Sequence, residues 1–220
     1  MSDVFQTTFK GHPFKFTWGG IHYSYSVDTF MVEEVNFRNN YWDVKAGDVV
    51  FDVGSSYGSY TLPACAVGAT VYAFEPEKGV YGTLVNNIAL NDWRGTRCFP
   101  ANYGLYSSSS KINMKEYAPH WPAETITSDY DVRTIDEVVY ERNIQHLDWM
   151  KIDVEGVEDH VIQGGLRSIE RFRPNIIVEC HDFLDPTLSS KVKDLLIPFN
   201  YVFEDVPRHP CVMVVAKQAK

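Results

Sequence analysis

Short apolar runs alternate with segments of helical period from about Ala46 onward. The runs are rich in β-branched residues and are flanked by turn-forming residues, which is typical of buried strands. Four strands are predicted on this basis: Val49 to Val53, Thr70 to Phe74, Trp149 to Asp153 and Asn175 to Cys180. A weaker strand is predicted near Arg97 to Ala101. Strands that alternate with helices favour βαβ units, so the pattern predicts an α/β fold with a mostly parallel sheet.

Apolar residues at helical spacing predict three helices between and after these strands. Two of them cover Gly79 to Leu90 and Val157 to Gln163, and Gly164-Gly165 is expected to end the second. The third runs from Leu188 to Leu196. The preceding Asp185-Pro186 supplies an aspartate that can cap this helix and a proline suited to its first turn.

The two ends of the chain differ from this alternating pattern. Near the C-terminus, Tyr201 to Asp205 and Cys211 to Ala216 flank a proline-bounded turn, and they are expected to pair as antiparallel strands. Residues 1–45 are rich in aromatics with partial alternation, which predicts a hairpin and a cap on the sheet. The aromatic residues are Phe14, Phe16, Trp18, Tyr23, Tyr25, Phe30, Phe37, Tyr41 and Trp42. We expect the cap to share one domain with residues 46–220, because a chain of 220 residues suits a single core.

Charge and cysteine content narrow the class of protein. The formal net charge is -9 and the basic residues form no cluster, so nucleic acid is not expected as a partner. No apolar run approaches the roughly 20 residues that span a bilayer, and the first residues do not resemble a signal peptide. A cytoplasmic location is therefore expected.

The four cysteines are widely spaced and are predicted to be free thiols in the core.

The most informative segment is DVGSSYG, Asp52 to Gly58, at the end of the first predicted strand of the sheet. Gly54 permits a tight turn and the close approach of a ligand, while Gly58 lets the next helix pack near the sheet. The middle glycine of a GxGxxG dinucleotide fingerprint is missing. Glu75 ends the next strand, about 20 residues after the loop, where a carboxylate can accept both ribose hydroxyls of a cofactor. These features predict a nucleoside cofactor on a Rossmann-like, doubly wound sheet.

Six segments together, GDVVFDVGSSYG, AFEPE, NNIALN, DVRTIDEVV, WMKIDVEGVE and IIVECH, resemble the FkbM family of methyltransferases in content and order. The resemblance covers roughly Ala46 to Asp182. That family is a branch of the class I S-adenosylmethionine enzymes and typically methylates hydroxyl groups, often on sugars or natural products. The resemblance implies S-adenosylmethionine as the cofactor and a carbohydrate or other small molecule as the acceptor.

The resemblance also implies which residues bind the cofactor. It places Asp52, Gly54 and Gly58 around the methionine end, Glu75 at the ribose and Asn102 on the adenine side. Ser55-Ser56 stands where the commoner DxGANxG form of the loop has Ala-Asn. The full set of expected contacts is Asp52, Gly54, Ser55, Ser56, Tyr57, Gly58, Glu75, Pro76 and Asn102.

Acceptor chemistry is predicted at the ends of the two later strands of the parallel set. Asp153 and Glu155 follow one strand, and Glu179 and His181 end the next, so their side chains should converge at one sheet edge. Two mechanisms are open. His181 or a carboxylate acts as a general base, or a divalent metal held by Asp153, Glu179 and His181 acidifies the acceptor hydroxyl. In a purely structural alternative, Asp153 and Glu155 cap the next helix and His181 joins a hydrogen-bond network.

Further candidates and alternatives complete the prediction. The loop Met114 to Glu124 is a candidate lid, with Tyr117, His120 and Trp121 as its most suitable residues. A nicotinamide-dependent oxidoreductase and a non-catalytic nucleoside-binding module are the alternative functions.

Overall fold

The computed structural model describes residues 4–17, 37–113 and 129–219 of the chain. Two compact units divide the chain, Met1–Ala101 and Asn102–Lys220. Several predicted features lie outside the described residues: the lid candidates Tyr117, His120 and Trp121 with their whole loop, and the aromatics Trp18, Tyr23, Tyr25 and Phe30. No helix in the described ranges is long and apolar enough to cross a membrane.

The first unit begins with the predicted hairpin. Strands β1 (Val4–Phe9) and β2 (His12–Thr17) pair antiparallel. Phe14 and Phe16 point from alternate positions of β2 into the core, where both are buried. The alternation of buried and exposed residues along β2 is that of a strand with one face covered. The hairpin prediction is therefore confirmed.

The first unit also contains a set of parallel strands in the order β3-β4-β5. Every residue of β3 is buried, which explains why four of its five residues are apolar. The strands are β3 (Val49–Val53), β4 (Thr70–Phe74) and β5 (Cys98–Ala101), and the helices are α1 (Thr61–Val67) and α2 (Lys78–Ala89). The predicted strands and the α2 helix are confirmed.

The second unit contains a small sheet that the sequence did not predict, in the order β6-β8-β7. Its short strands are β6 (Gly104–Leu105), β7 (Ser110–Asn113) and β8 (Asp129–Arg133). Helix α3 (Ile135–Glu141) follows and begins with a capping box between Thr134 and Glu137. The strands carry too few apolar residues to produce a clear periodic signal.

A four-stranded set in the second unit has the order β11-β12-β10-β9. Strands β9 (Trp149–Ile152) and β10 (Asn175–Cys180) are parallel. Strand β12 (Cys211–Gln218) pairs antiparallel with both β10 and β11 (Tyr201–Arg208). The predicted antiparallel pair at the C-terminus is therefore confirmed.

Three further helices of this unit are α4 (Glu158–Gln163), α5 (Leu166–Phe172) and α6 (Leu188–Leu196), and a short 3₁₀ turn (Ile197–Phe199) follows α6. Gly164-Gly165 ends α4 as predicted, but the unpredicted α5 begins immediately afterwards. A Cβ on Gly164 would lie 2.0 Å from the carbonyl oxygen of Tyr106, so packing requires glycine here.

The prediction that Asp185 caps α6 and that Pro186 occupies its first turn was wrong. Asp185 Oδ1 accepts from the backbone N–H of Thr187, before the helix starts, and Pro186 lies outside the helix. Asp182 supplies the capping interaction instead, since its Oδ1 accepts from the N–H of Ser189 at 2.9 Å. The cysteine prediction was correct, because all four thiols are buried and free.

Candidate active site

The glycine loop leaves β3 by a tight turn in the first unit. The N–H groups of Gly54 and Ser55 both donate to the carbonyl oxygen of Phe74 at 3.0 Å, and Gly54 has a φ of +76°. A Cβ on Gly58 would lie 3.0 Å from Leu62 Cγ and 3.2 Å from Leu84 Cδ1. The two glycines therefore serve the turn and the close packing for which the sequence predicted them.

Glu75 reaches back to this loop from the end of β4. Its Oε2 accepts from the N–H of Ser56 at 3.0 Å, and its Oε1 accepts from the N–H of Glu77 at 2.9 Å. Burial raises the pKa of Glu75 to about 8, although these two backbone hydrogen bonds act in the opposite direction. Each carboxylate oxygen has a second lone pair, so the side chain can still accept hydrogen bonds from hydroxyl groups.

Two further loop residues differ in whether their side chains have a hydrogen-bond partner. Asp52 is buried and its Oδ2 accepts from Thr61 Oγ1 at 2.5 Å, which anchors the start of α1. Ser55 is also buried, and its Oγ has no hydrogen-bond partner within the described part of the chain. A buried hydroxyl without a partner is costly unless a ligand satisfies it. Ser55 and Glu75 therefore fit a polar cofactor at this loop.

Asn87, on the buried face of α2, is a site residue that sequence reasoning missed. Its Nδ2 donates to the carbonyl oxygens of Tyr57 at 2.9 Å and Thr17 at 3.1 Å, and its Oδ1 accepts from the N–H of Thr17 at 2.7 Å. The side chain thus ties the glycine loop to the hairpin. The available signal was an amide between Leu84 and Ile88 on an otherwise apolar helix face.

The remaining predicted cofactor residues occupy separate positions. Pro76 directly follows Glu75, and Tyr57 is buried with its backbone carbonyl held by Asn87. Asn102 lines an open cavity of about 500 Å³ in the second unit together with Tyr103 and other residues. Cofactor contacts of Pro76, Tyr57 and Asn102 stay predictions.

The ends of β9 and β10 bring three predicted residues together in the second unit. These strands are parallel neighbours, with Ile152 opposite Val178, so the residues that follow them share one edge. His181 Nε2 lies 3.2 Å from Glu155 Oε2 and 3.8 Å from Asp153 Oδ1. One ligand atom from each of the three side chains lies within 4.8 Å of the others.

Glu158, at the first position of α4, is a fourth member that sequence reasoning missed. It is fully buried, and its Oε1 lies 2.7 Å from Nδ1 of His181. The N–H of Gly156 donates to the same oxygen at 3.1 Å. The available signal was a second glutamate, three positions after Glu155 in WMKIDVEGVE. We call Asp153, Glu155, Glu158 and His181 the acceptor cluster.

The acceptor cluster favours a proton on His181. Burial alone would lower the pKa of His181, but hydrogen bonds with Cys211, Glu155 and Glu158 outweigh it and raise the pKa above its ordinary value. The His181 side chain is only 5% exposed, whereas those of Asp153 and Glu155 are 32% and 31% exposed. A bound acceptor would therefore reach the two carboxylates more readily than the imidazole.

Glu179 belongs to a neighbouring group of charges. Its Oε2 lies 3.7 Å from Lys151 Nζ and 3.4 Å from Arg208 Nη1. Lys151 is almost fully buried and also lies 3.3 Å from Asp153 Oδ2. Burial would raise the pKa of Asp153, but the charges of Lys151 and His181 outweigh it and lower the pKa.

The predicted metal-ligand set of Asp153, Glu179 and His181 therefore needs correction. Among the described residues, the set with suitable spacing contains Glu155 in place of Glu179. Glu179 lies within β10, whereas Glu155 turns back toward His181 from the loop after β9, where its φ is +62°. This left-handed backbone conformation could not be read from the residue type.

Comparison with known proteins gives a consistent family match. The family model described as Methyltransferase FkbM domain matches residues 52–203. Hexuronic acid methyltransferase AglP of Haloferax volcanii is 28% identical over 182 residues, which are 80% of this chain and 74% of that protein.

Solved structures share the fold at low sequence identity. Methyltransferase FkbM from Methylobacillus flagellatus KT matches with a TM-score of 0.60 at 15% identity, over 83% of this chain and 52% of its own. A 16S rRNA methyltransferase of T. thermophilus, in complex with AdoMet and guanosine, matches with a TM-score of 0.54 at 14% identity, over 99% and 50%. The chain thus spans about half the length of both. The Rossmann-like α/β fold is confirmed, while the expectation that nucleic acid is no partner stays a prediction.

Proposed function

Because the chain belongs to the FkbM methyltransferase domain family, we propose that it is an S-adenosylmethionine-dependent O-methyltransferase acting on a hydroxyl group of a carbohydrate. The observation that carries the acceptor chemistry is the pair of accessible carboxylates, Asp153 and Glu155, around the buried His181. The activity named for AglP supports a hexuronic acid as the acceptor class.

Residues of the first unit are suited to the donor. S-adenosylmethionine supplies an activated methyl group when it is bound. In this proposal Glu75 accepts the ribose hydroxyls, the unsatisfied Ser55 Oγ bonds to the ligand, and Gly54 leaves room for its close approach.

The acceptor cluster would position the nucleophile and take its proton. Methyl transfer is an in-line displacement, so the acceptor oxygen must be held in one orientation and must lose its proton. We assign the hydrogen bond from the hydroxyl to Glu155 or Asp153. The proton passes to a carboxylate of the acceptor cluster, in which Glu155 Oε2 lies 3.2 Å from His181 Nε2. Three carboxylates surround one imidazole, so the cluster retains capacity for a proton even when His181 is charged.

Asp153, Glu155 and His181 also suit a divalent cation, since carboxylate oxygens and imidazole nitrogen are common ligands. Because Glu158 occupies Nδ1 of His181, Nε2 would face the ion. The ion would then lower the pKa of an acceptor hydroxyl bound to it. An ion would need Nε2 without its proton. An ion and a proton would compete for this nitrogen, so the two routes are alternatives, and we propose the route without a metal.

The experiment combines the chain with S-adenosylmethionine and a panel of D-glucuronic acid, neutral hexopyranosides and RNA, with detection by mass spectrometry. We expect a sugar to gain one methyl group that survives mild alkali and forms equally well in EDTA. An alkali-labile product would be an ester of the acid's carboxylate and would contradict a hydroxyl acceptor. Loss of activity in EDTA with recovery in Mg²⁺ would establish the metal route. Methylation of RNA alone would overturn the proposal.

A matched pair of variants tests the role of the acceptor cluster. Glu155→Gln should lower kcat roughly 100-fold, since general-base catalysis contributes at least that much, and should leave cofactor affinity unchanged. Glu170→Gln removes an exposed carboxylate on α5 and should change neither constant. Equal activity of the two variants would remove Glu155 from the mechanism.

A further inference from the structure

Asn87 uses every hydrogen-bonding position of its side-chain amide. Its Oδ1 accepts from the N–H of Thr17 at 2.7 Å and from the Thr17 hydroxyl at 3.0 Å, and its Nδ2 donates to the Thr17 carbonyl oxygen at 3.1 Å. The second N–H of Nδ2 donates to the carbonyl oxygen of Tyr57 at 2.9 Å. An amide has two donor hydrogens and two acceptor lone pairs, so the four bonds use all of them.

Thr17, the last residue of β2, therefore fixes which way the Asn87 amide points. Turning the amide over would place its NH₂ group against the Thr17 N–H and its oxygen against two carbonyl oxygens. Asn87 is fully buried, so water could not replace the bonds that this rotation breaks. The contacts at Thr17 thus keep the remaining donor aimed at Tyr57.

The carbonyl that receives this donor lies in the turn of residues 55–58, which we call the cofactor turn. The N–H of Gly58 closes this turn by donating to the carbonyl oxygen of Ser55 at 2.8 Å. The N–H of Ser56 donates to Oε2 of Glu75 at 3.0 Å. A ligand that orders the turn at Ser55 and Glu75 would also restrict the carbonyl of Tyr57, and with it the amide on α2.

We propose that Thr17 is a positioning residue of the cofactor turn, which it holds through Asn87, and that cofactor binding and the Thr17–Asn87 contact stabilise each other. This role rests on the proposed function, because it takes S-adenosylmethionine as the ligand of the turn. Coupling between two sites is reciprocal. If the contact favours cofactor binding by some factor, the bound cofactor strengthens the contact by the same factor. The end of the hairpin thereby contributes to cofactor affinity.

Lys15 supplies a matched control on the same edge of β2. Asn91 lies one helical turn after Asn87, where it accepts from the Lys15 N–H and donates to the Lys15 carbonyl oxygen, both at 2.8 Å. Its other N–H donates to the backbone carbonyl oxygen of Asn87. Both asparagines anchor the hairpin to α2, but the hydrogen bond to Tyr57 comes from the asparagine that holds Thr17.

The test measures the Kd of S-adenosylhomocysteine by calorimetry on the full chain. Thr17→Pro removes the N–H and the hydroxyl that hold Asn87, and it should raise this Kd roughly fivefold, the factor for one hydrogen bond of ordinary strength. Thr17→Val keeps both backbone bonds and should retain the wild-type Kd. Lys15→Pro removes an N–H from the same edge of β2, a strand that already carries Pro13. It should cost similar stability and leave the Kd unchanged.

Amide hydrogen exchange followed by NMR supplies a readout that a purely structural role would not move. Saturating S-adenosylhomocysteine should slow exchange of the Thr17 N–H by the same factor of roughly five and leave the Lys15 N–H unchanged. Equal Kd values for Thr17→Pro and Lys15→Pro, or equal protection of the two amides by the ligand, would overturn the assignment. If the wild type does not bind S-adenosylhomocysteine, the proposed cofactor is wrong and this role fails with it.

Discussion

Glu158 and His181 form a buried carboxylate–imidazole pair, with Oε1 of the glutamate 2.7 Å from Nδ1 of the histidine. The Glu158 side chain is fully excluded from solvent. Because Glu158 occupies Nδ1, it determines that Nε2 is the nitrogen that faces Glu155 and Asp153. A single buried residue on α4 therefore orients the ring at the end of β10.

Glu158→Gln should lower kcat while leaving the Kd of S-adenosylhomocysteine unchanged. The amide keeps the shape of the side chain but removes the charge that fixes the ring, and loss of such an orienting partner typically costs about 10- to 100-fold. Steady-state kinetics with calorimetry measures both constants. Wild-type kcat in a variant with reduced thermal stability would show that Glu158 has only a structural role.

Cofactor binding should release a proton from Glu75 near pH 7. Burial raises its pKa from 4.5 to about 8, so the free protein holds the carboxyl protonated, whereas donating ribose hydroxyls favour the carboxylate. Calorimetry of S-adenosylhomocysteine binding in buffers of different ionisation enthalpy counts the proton. Glu75→Gln should abolish the release and weaken binding. An unchanged proton count in that variant would assign the proton to another group.

The same shift predicts how stability depends on pH. The folded chain keeps a proton on Glu75 that the unfolded chain gives up, so this residue should lower the free energy of unfolding as pH rises from 4.5 to about 8. Urea unfolding of the cofactor-free protein across this range measures the slope. Glu75→Gln should flatten it, and an equal slope in the variant would contradict the shift.

Asn87→Ala should both destabilise the fold and weaken cofactor binding. It leaves the buried carbonyl of Tyr57 without its amide partner, which costs about 1–3 kcal/mol, and it loosens the glycine loop. Asn91→Ala is the matched control, because Asn91 bonds the hairpin through Lys15 and has no hydrogen bond to the loop. Only Asn87→Ala should raise the Kd of S-adenosylhomocysteine. Equal effects of the two variants on this Kd would mean that cofactor binding depends on the contact of α2 with the hairpin and not on the hydrogen bond from Asn87 to the loop.

Lys151→Met should be strongly destabilising. Lys151 is buried between Asp153 and Glu179, and removing one member of a buried charge group costs about 3 kcal/mol because the others lose their compensation. Chemical unfolding measures the loss. Lys191→Met breaks the exposed pair with Asp185 and should change stability little. A Lys151→Met variant as stable as the wild type would show that Arg208 and solvent are enough to compensate the charges of Asp153 and Glu179.

The sequence predicted the elements that carry a strong local signal. Strands β3, β4 and β10 are short and mostly apolar, and residue patterns identify them because largely buried strands are rich in apolar residues. It did not predict α5, since a glycine pair that ends one helix gives no sign that the next follows at once. It also placed the cap of α6 at Asp185, because Asp182 and Asp185 are equally plausible by residue type and only the path of the chain separates them.

For the site, the sequence by itself determined that a glycine loop follows β3, that a glutamate ends β4, and that acidic residues and a histidine follow the later parallel strands. These features depend on order along the chain and on the strand ends, both of which are local. The tertiary structure alone decided that Glu155 and Glu158 flank His181 and that Glu179 pairs with Lys151 and Arg208. Judged by spacing along the sequence, several carboxylates could have reached His181. Which of them meets the imidazole depends on backbone torsions and on packing between elements, because a hydrogen bond tolerates only a few tenths of an ångström in distance.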